Sequence, residues 1–239
     1  MSTLEKSYEQ AKSSVLGADA PLVTVFIFSD RARYDAFFKE YHGQAPQAQE
    51  WITYNRGVMM ICPRDKDRSH IAPNDVTSDY FRSTIAQVYV HCLLRRALGT
   101  TEVPSWLNNG LAMTLASKLV PEDEKLNDYA IKRLVAANAL LDLQALAKVP
   151  ASTQYMTDKD DATKAALQQS YHITRYLLQS SKGDGVVSFF NRAVNNEQTV
   201  EQSFEETYGA SPEAFYASWL ANVQKTFGGT ATQPLTPVQ

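Results

Sequence analysis

The feature that most constrains this chain is a change of period part-way along it. Up to Cys62 several apolar residues fall in short, strand-like runs, and from Thr77 onward they recur at helical spacing. Leu22-Val-Thr-Val-Phe-Ile-Phe28 is rich in β-branched and aromatic residues. Bounded by Pro21 and Ser29-Asp30, it reads as a buried strand. Trp51–Arg56 and Val58–Cys62, joined at Gly57, read as a hairpin. Helices are predicted over Leu4–Leu16, ending near Gly17, and from an Asp30 cap through Tyr41 to a stop at Gly43. Pro63–Asp75 is charged, contains two prolines and is predicted as loop.

Beyond Thr77, Phe81, Ile85, Val88 or Tyr89, and Cys92 keep helical spacing until Gly99 supplies a stop. Pro104 opens a second helix with Leu107, Leu111 and Leu115 on one face. Further helices are expected over Tyr129–Leu141, Thr163–Ser180, Val186–Asn195 and Val200–Tyr208. In the last one Ser211 is the cap, Pro212 the first residue, and Phe215, Trp219, Val223 and Phe227 the buried stripe. Strands first and helices after make the fold class α+β. One domain is expected over residues 1–227, with a sheet lobe (1–99) and a helical lobe (100–227). Residues 228–239, rich in Gly, Thr and Pro, are expected to form a disordered tail.

Composition excludes several function classes. The 239 residues, 44% of them hydrophobic, can bury a core without disulfide staples. A net charge of -3, with basic residues scattered and Arg95-Arg96 only a pair, leaves no footprint for nucleic acid. No signal-like apolar run lies in Met1–Ala20, and Leu22–Phe28 is far too short to span a membrane, so a soluble chain is expected. Its compartment is not indicated. Cys62 and Cys92 lack CxxC spacing and are expected as small buried hydrophobes; spacing leaves a bond between them open.

Two segments carry the functional argument: Thr84-Ile-Ala-Gln-Val-Tyr-Val-His-Cys-Leu-Leu-Arg-Arg96 and Val103-Pro-Ser-Trp-Leu-Asn-Asn-Gly-Leu-Ala-Met113. Together they resemble the peptidase MA-like (gluzincin) domains, in which one helix carries H-E-x-x-H and the next a W-L-N-E-G-L-A-E pattern. The resemblance extends over Val23–Phe227, taking in Ser170–Leu178 and Tyr208–Trp219, and implies a zincin-like fold. In such a site two His at i and i+4 share a helix face to hold Zn²⁺. The Glu between them is the general base, and a Glu from the next helix is the third ligand.

On this chain the resemblance places the first His at Gln87, the base at Val88, the second His at His91, the third ligand at Asn109 and a second acidic position at Met113. Amide oxygens are poor zinc ligands and valine cannot accept a proton, so the resemblance implies a peptidase domain without its metal or its base. No cofactor is expected, and zinc is expected to be absent. His91 is expected as a leftover, hydrogen-bonded to Gln87 or to Asn109. Tyr171 and His172 fall near the former cleft, with a Tyr body packed in the core as the favoured reading.

Weaker candidates need little. His91 and Cys92 are about 100° apart on a helix and cannot pair as nucleophile and base. His70, with Asp65, Asp67 and Asp75, reads as a solvated loop, and Glu122-Asp-Glu124 and Asp158 with Asp160-Asp161 as acidic residues preceding helices. No G-x-S-x-G elbow, P-loop or G-x-G-x-x-G is present. The expected function is therefore a non-catalytic module that binds a peptide or protein in the former substrate cleft. The alternatives are a hydrolase using Tyr171, His172 or His70 beside His91, and a structural scaffold. An open polar cleft would favour binding or catalysis, and a filled one scaffolding.

Overall fold

The computed structural model describes residues 2–18, 20–46, 51–55, 57–62, 79–99, 101–149, 161–180, 185–195 and 198–228, with only the main chain at 79–80 and 121–126. Helix α1 (Thr3–Ala11) starts in a reciprocal cap: Ser2 Oγ accepts from the Glu5 amide, and the Glu5 carboxylate accepts from the Ser2 amide at 2.6 Å. A wider turn over Lys12–Leu16 prolongs it to Gly17. Strand β1 (Thr24–Ile27) leads to α2 (Arg31–His42), capped by Asp30 and ended by a left-handed Gly43. Strands β2 (Ile52–Asn55) and β3 (Val58–Ile61) form the expected hairpin. Gly57 turns it at φ 81°, and a Cβ there would also meet the Arg96 side chain at 2.7 Å.

These strands make a mixed sheet in the order β1-β3-β2, with β1 parallel and β2 antiparallel to β3. Side chains alternate across it. Met59, Ile61 and Ile52 join the main core, whereas Met60 and Cys62 pack with Tyr34 and Phe38 of α2. Strand β1 is not the buried strand its composition suggests. It occupies an edge, and Leu22 and Ile27 are 77% and 66% exposed. An apolar run specifies a strand but not its place in the sheet.

The rest is helical: α3 (Asp79–Leu98), α4 (Ser105–Ser117), α5 (Pro121–Ala136), α6 (Leu143–Ala147), α7 (Asp161–Ser180), α8 (Gly185–Asn195), α9 (Val200–Tyr208) and α10 (Pro212–Phe227). The molecule is thus an α+β, zincin-like fold, mostly helical with a small N-terminal sheet. Every residue from Ser83 to Leu94 of α3 is buried, as is every residue of α4 from Trp106 to Ser117 except Asn108. Helices apolar on all sides belong inside a core, and these two form its centre. Helix α7 lies directly on α4. A Cβ on Gly110 would collide with Thr174 Oγ1 and the Ser170 carbonyl, so only glycine permits that approach.

Two helical expectations need correcting. The helix expected over Tyr129–Leu141 runs from Pro121 to Ala136. Asn138 is left-handed at φ 50° and closes it, the amide of Ala139 bonding back to the Leu134 carbonyl. Leu141 keeps its apolar burial without being helical because the Gln169 side chain, fully buried, holds both its N–H (2.8 Å) and its C=O (2.6 Å). The acidic run Glu122–Glu124 consequently lies inside the first turn of α5 rather than before it. Helix α6, capped by Asp142, had no expectation at all. One apolar cluster runs from Ala11 in α1 to Val223 in α10. Cys62 and Cys92 are both buried, in separate clusters, and are not joined by a disulfide. His70 and its loop, Asp158, Asp160 and residues 229–239 lie outside the described residues. Among the described residues no helix is long and apolar enough to cross a membrane.

Candidate functional site

Gln87 and His91 stand one turn apart on α3 and share a face of that buried helix. A polar side chain in such a place must find a hydrogen bond. The Gln87 amide donates to Ser83 Oγ one turn earlier, at 3.0 Å. His91 Nδ1 faces the Asn108 amide oxygen at 3.1 Å, tying α3 to α4. Its ring lies flat against Tyr54 of β2, with centroids 5.8 Å apart and planes 2° from parallel. His91 is thus held where β2, α3 and α4 meet. The bond formed with Asn108 involves a residue one position, or 100° of helix, away from the expected Asn109. Val88 is fully buried and Asn109 is 2% exposed.

The surroundings are largely buried. Burial pushes the Tyr54 phenol up to about 12, with Cys92 adding to the rise and Arg95 opposing it. Burial likewise raises the Cys92 thiol to about 12 against the opposing pull of Arg96 and the Gly57 backbone. Both groups stay protonated and neutral through the physiological range. One imidazole and two amides in such a setting do not fit Zn²⁺, which wants imidazole, thiolate or carboxylate donors and a balancing negative charge. Among the described residues no three His, Cys, Asp or Glu side chains group to hold a metal ion.

Tyr171 and His172 are neighbours on α7 that face different elements. Tyr171 is fully buried and packs with Met113 of α4 and Leu167, and Thr114 Oγ1 donates to its carbonyl at 3.3 Å. His172 turns instead toward α10 and α5. The Trp219 indole donates to its Nδ1 at 3.1 Å, and Arg175 Nη2 lies 3.2 Å from its Nε2. Asp128 of α5 pairs with Arg175 at 2.6 Å and lies 3.9 Å from Nε2. An indole N–H can only donate, so Nδ1 carries a lone pair and the ring proton sits on Nε2. A second proton would collide with the indole donor. Burial, and then the Arg175 charge, bring the imidazole down to about 4, with Asp128 opposing. Nδ1 is taken by the indole, the Nε2 proton faces the Arg175 guanidinium, and the ring is a weak base, which leaves His172 unsuited to proton transfer near neutrality.

The sequence model described as Peptidase MA superfamily matches residues 74–225. The chain belongs to the Peptidase MA superfamily. No curated protein and no solved structure matches it. The matched span takes in α3, α4 and α7, on which Gln87, Val88, His91, Asn109, Met113, Tyr171 and His172 lie. The sheet precedes it, so the N-terminal part of the resemblance rests on strand order alone.

In this Peptidase MA domain the structure brings His91 to Asn108 and Tyr54, and Met113 to Tyr171, while His172 turns to a different neighbourhood. Asn108, Tyr54, Arg175 and Asp128 had no sequence signal as site residues, and Trp219 was legible only as part of a buried stripe. Asn108 stood beside the position singled out, and the other four become partners only through tertiary packing. The positions 87, 88, 91, 109, 113, 171 and 172 are all 8% exposed or less. A groove of about 410 Å³ opens at the start of α4, lined by Glu102, Pro104, Ser105, Ala147, Val200 and Glu201 among others, and none of those seven positions lines it.

Proposed function

We propose that this Peptidase MA domain is catalytically inactive and works through contacts with other proteins. The observation that carries the reading is the donor set. Gln87, His91 and Asn109 offer one imidazole and two amides, and fully buried Val88 stands where a general base would be needed. A hydrolase using other residues of the cleft finds no support in His172, whose acceptor nitrogen is taken by Trp219 and whose basicity burial lowers.

Peptide binding in the former cleft would need an open floor and a free edge on β2, because such clefts hold an extended chain by strand-like hydrogen bonds. Ile52 and Thr53 of β2 are 3% and 4% exposed, and the floor positions are buried. That burial favours a structural or scaffolding role, with partners met on the outer surface, over a peptide lodged beside His91.

The test has two arms. Purified full-length chain should carry no stoichiometric zinc by elemental analysis and should cleave no peptide library. Near one zinc per chain, lost on mutation of His91, would overturn the reading. In the second arm Gln87→His, Val88→Glu and Asn109→Glu restore the family pattern at its own spacing. A folded triple variant should gain zinc affinity by orders of magnitude over the parent. Equal affinity would mean that these positions do not share a former metal site.

A further inference from the structure

The two edges of the sheet differ sharply. At β2 the backbone is covered, whereas at β1 Leu22, Phe26 and Ile27 are 77%, 38% and 66% exposed. The Thr24 amide donates to Gly57 O at 3.0 Å and the Phe28 amide to Ile61 O at 2.8 Å. Amide directions alternate along a strand, so those of Val25 and Ile27 point away from β3. Among the described residues β1 has no second strand neighbour on that side. Strands left exposed are ordinarily protected by a lysine, an internal proline, a bulge or a cover. From Leu22 to Ser29 this segment has no charged residue and no proline, and β1 pairs with β3 without a bulge.

The geometry points to a homodimer in which β1 of one copy pairs antiparallel with β1 of a second, giving a continuous six-stranded sheet. The outward amides allow several registers. The proposed one sets Val25 opposite Ile27 of the other copy, and Ile27 opposite Val25, because it engages both outward residues of β1 on each copy in four main-chain hydrogen bonds. Phe26 then meets its own copy at the central non-hydrogen-bonded position, where Cα atoms approach to about 4.5 Å and side chains pack most closely. The Phe26 ring already lies 4.9 Å from Phe37, and Phe37 stacks on Tyr41 at 6.4 Å, so a second Phe26 would extend this aromatic row.

A second copy suits the edge better than a charged partner does. It brings the same uncharged surface and creates no like-charge pair, while a charged partner would find nothing to neutralise it. The contact is small, so dissociation is expected on the order of micromolar. None of this depends on the zinc question, and its readout is separate.

The test is the mass in solution of the full chain over a concentration series, by sedimentation or light scattering. The parent should shift from monomer to dimer as concentration rises. Ile27→Pro removes an outward N–H without touching the bonds to β3, and should be monomeric at every concentration with an unchanged circular dichroism spectrum. For register, Phe26→Cys should form an interchain disulfide on mild oxidation, since the Cα spacing suits one, and Val25→Cys should not. A parent that stays monomeric leaves the edge to a different chain and overturns the proposal. So does an Ile27→Pro protein as dimeric as the parent. If Ile27→Pro fails to fold, equal crosslinking of the two cysteine variants overturns it.

Discussion

The chain buries two histidines on long helices, and their settings are opposites. His91 meets an amide and a neutral tyrosine ring. His172 has no family assignment, yet it lies in a network of Trp219, Arg175 and Asp128 that joins α7 to α10 and α5. The comparison teaches that a chemical-looking side chain can serve packing and helix contact. The richest polar network among the described residues locks helices together, and His91 is one more satisfied polar group in a packed core.

The largest effect should come from breaking the His172 network at its apolar end. Trp219 is fully buried, so Trp219→Ala should destabilise the fold by about 4 kcal/mol in denaturant melts, combining a large cavity with a lost donor. Trp219→Phe keeps most of the ring and loses the N–H, so it should cost clearly less. Equal losses would mean the hydrogen bond, not the packing, dominates.

Acid should distinguish the two histidines next. His172 has an ordinary value of 6.5 and is held near 4 in the folded chain. Between those values the unfolded chain binds the extra proton and the folded chain does not, so stability falls as pH drops from about 6.5 to about 4. The loss is on the order of 3 kcal/mol. Melts of parent and His172→Gln across this range should diverge, the variant lacking that part of the slope. Parallel curves would remove the network's claim to hold the imidazole neutral.

Gly110→Ala probes the seam between the two regions. The added methyl meets Thr174 Oγ1 and the Ser170 carbonyl, part of which is rigid backbone, so α4 must move off α7 at about 2 to 3 kcal/mol. A variant as stable as the parent would show that the two helices can separate freely. The smallest effect belongs to the His91 side. Asn108 is half-buried, and Asn108→Ala should cost about 1 kcal/mol by thermal or denaturant melt. A cost near that of Trp219→Ala would make the surroundings of His91 a second structural centre and erase the contrast.

How much of this was legible beforehand varies with the kind of interaction. Helix ends were readable because caps are local. Asp30, Gly43, Gly99, Ser211 and Pro212 act within one turn of their own position. The end of α5 was not, because Leu140 and Leu141 continue an apolar helical pattern while Gln169, 28 residues away, holds Leu141 in a different conformation. The edge position of β1 was missed for a similar reason: its apolar composition describes a buried strand, and no local term records which neighbours it lacks. At the site, the identities of Gln87, Val88, His91 and Asn109 were plain, but which amide His91 would meet was not.

The sequence by itself therefore determined the α+β order of elements, most helix ends and the membership of residues 74–225 in the Peptidase MA superfamily. Each of these depends on residue type and short-range spacing. The tertiary structure alone decided that Asn108 and Tyr54 hold His91, that His172 turns to Trp219, and that β1 is open while β2 is covered. Those outcomes depend on which faces meet across the fold. A rotation of 100° between adjacent helical residues, or one strand's place in a sheet, changes every partner without changing a letter of the chain.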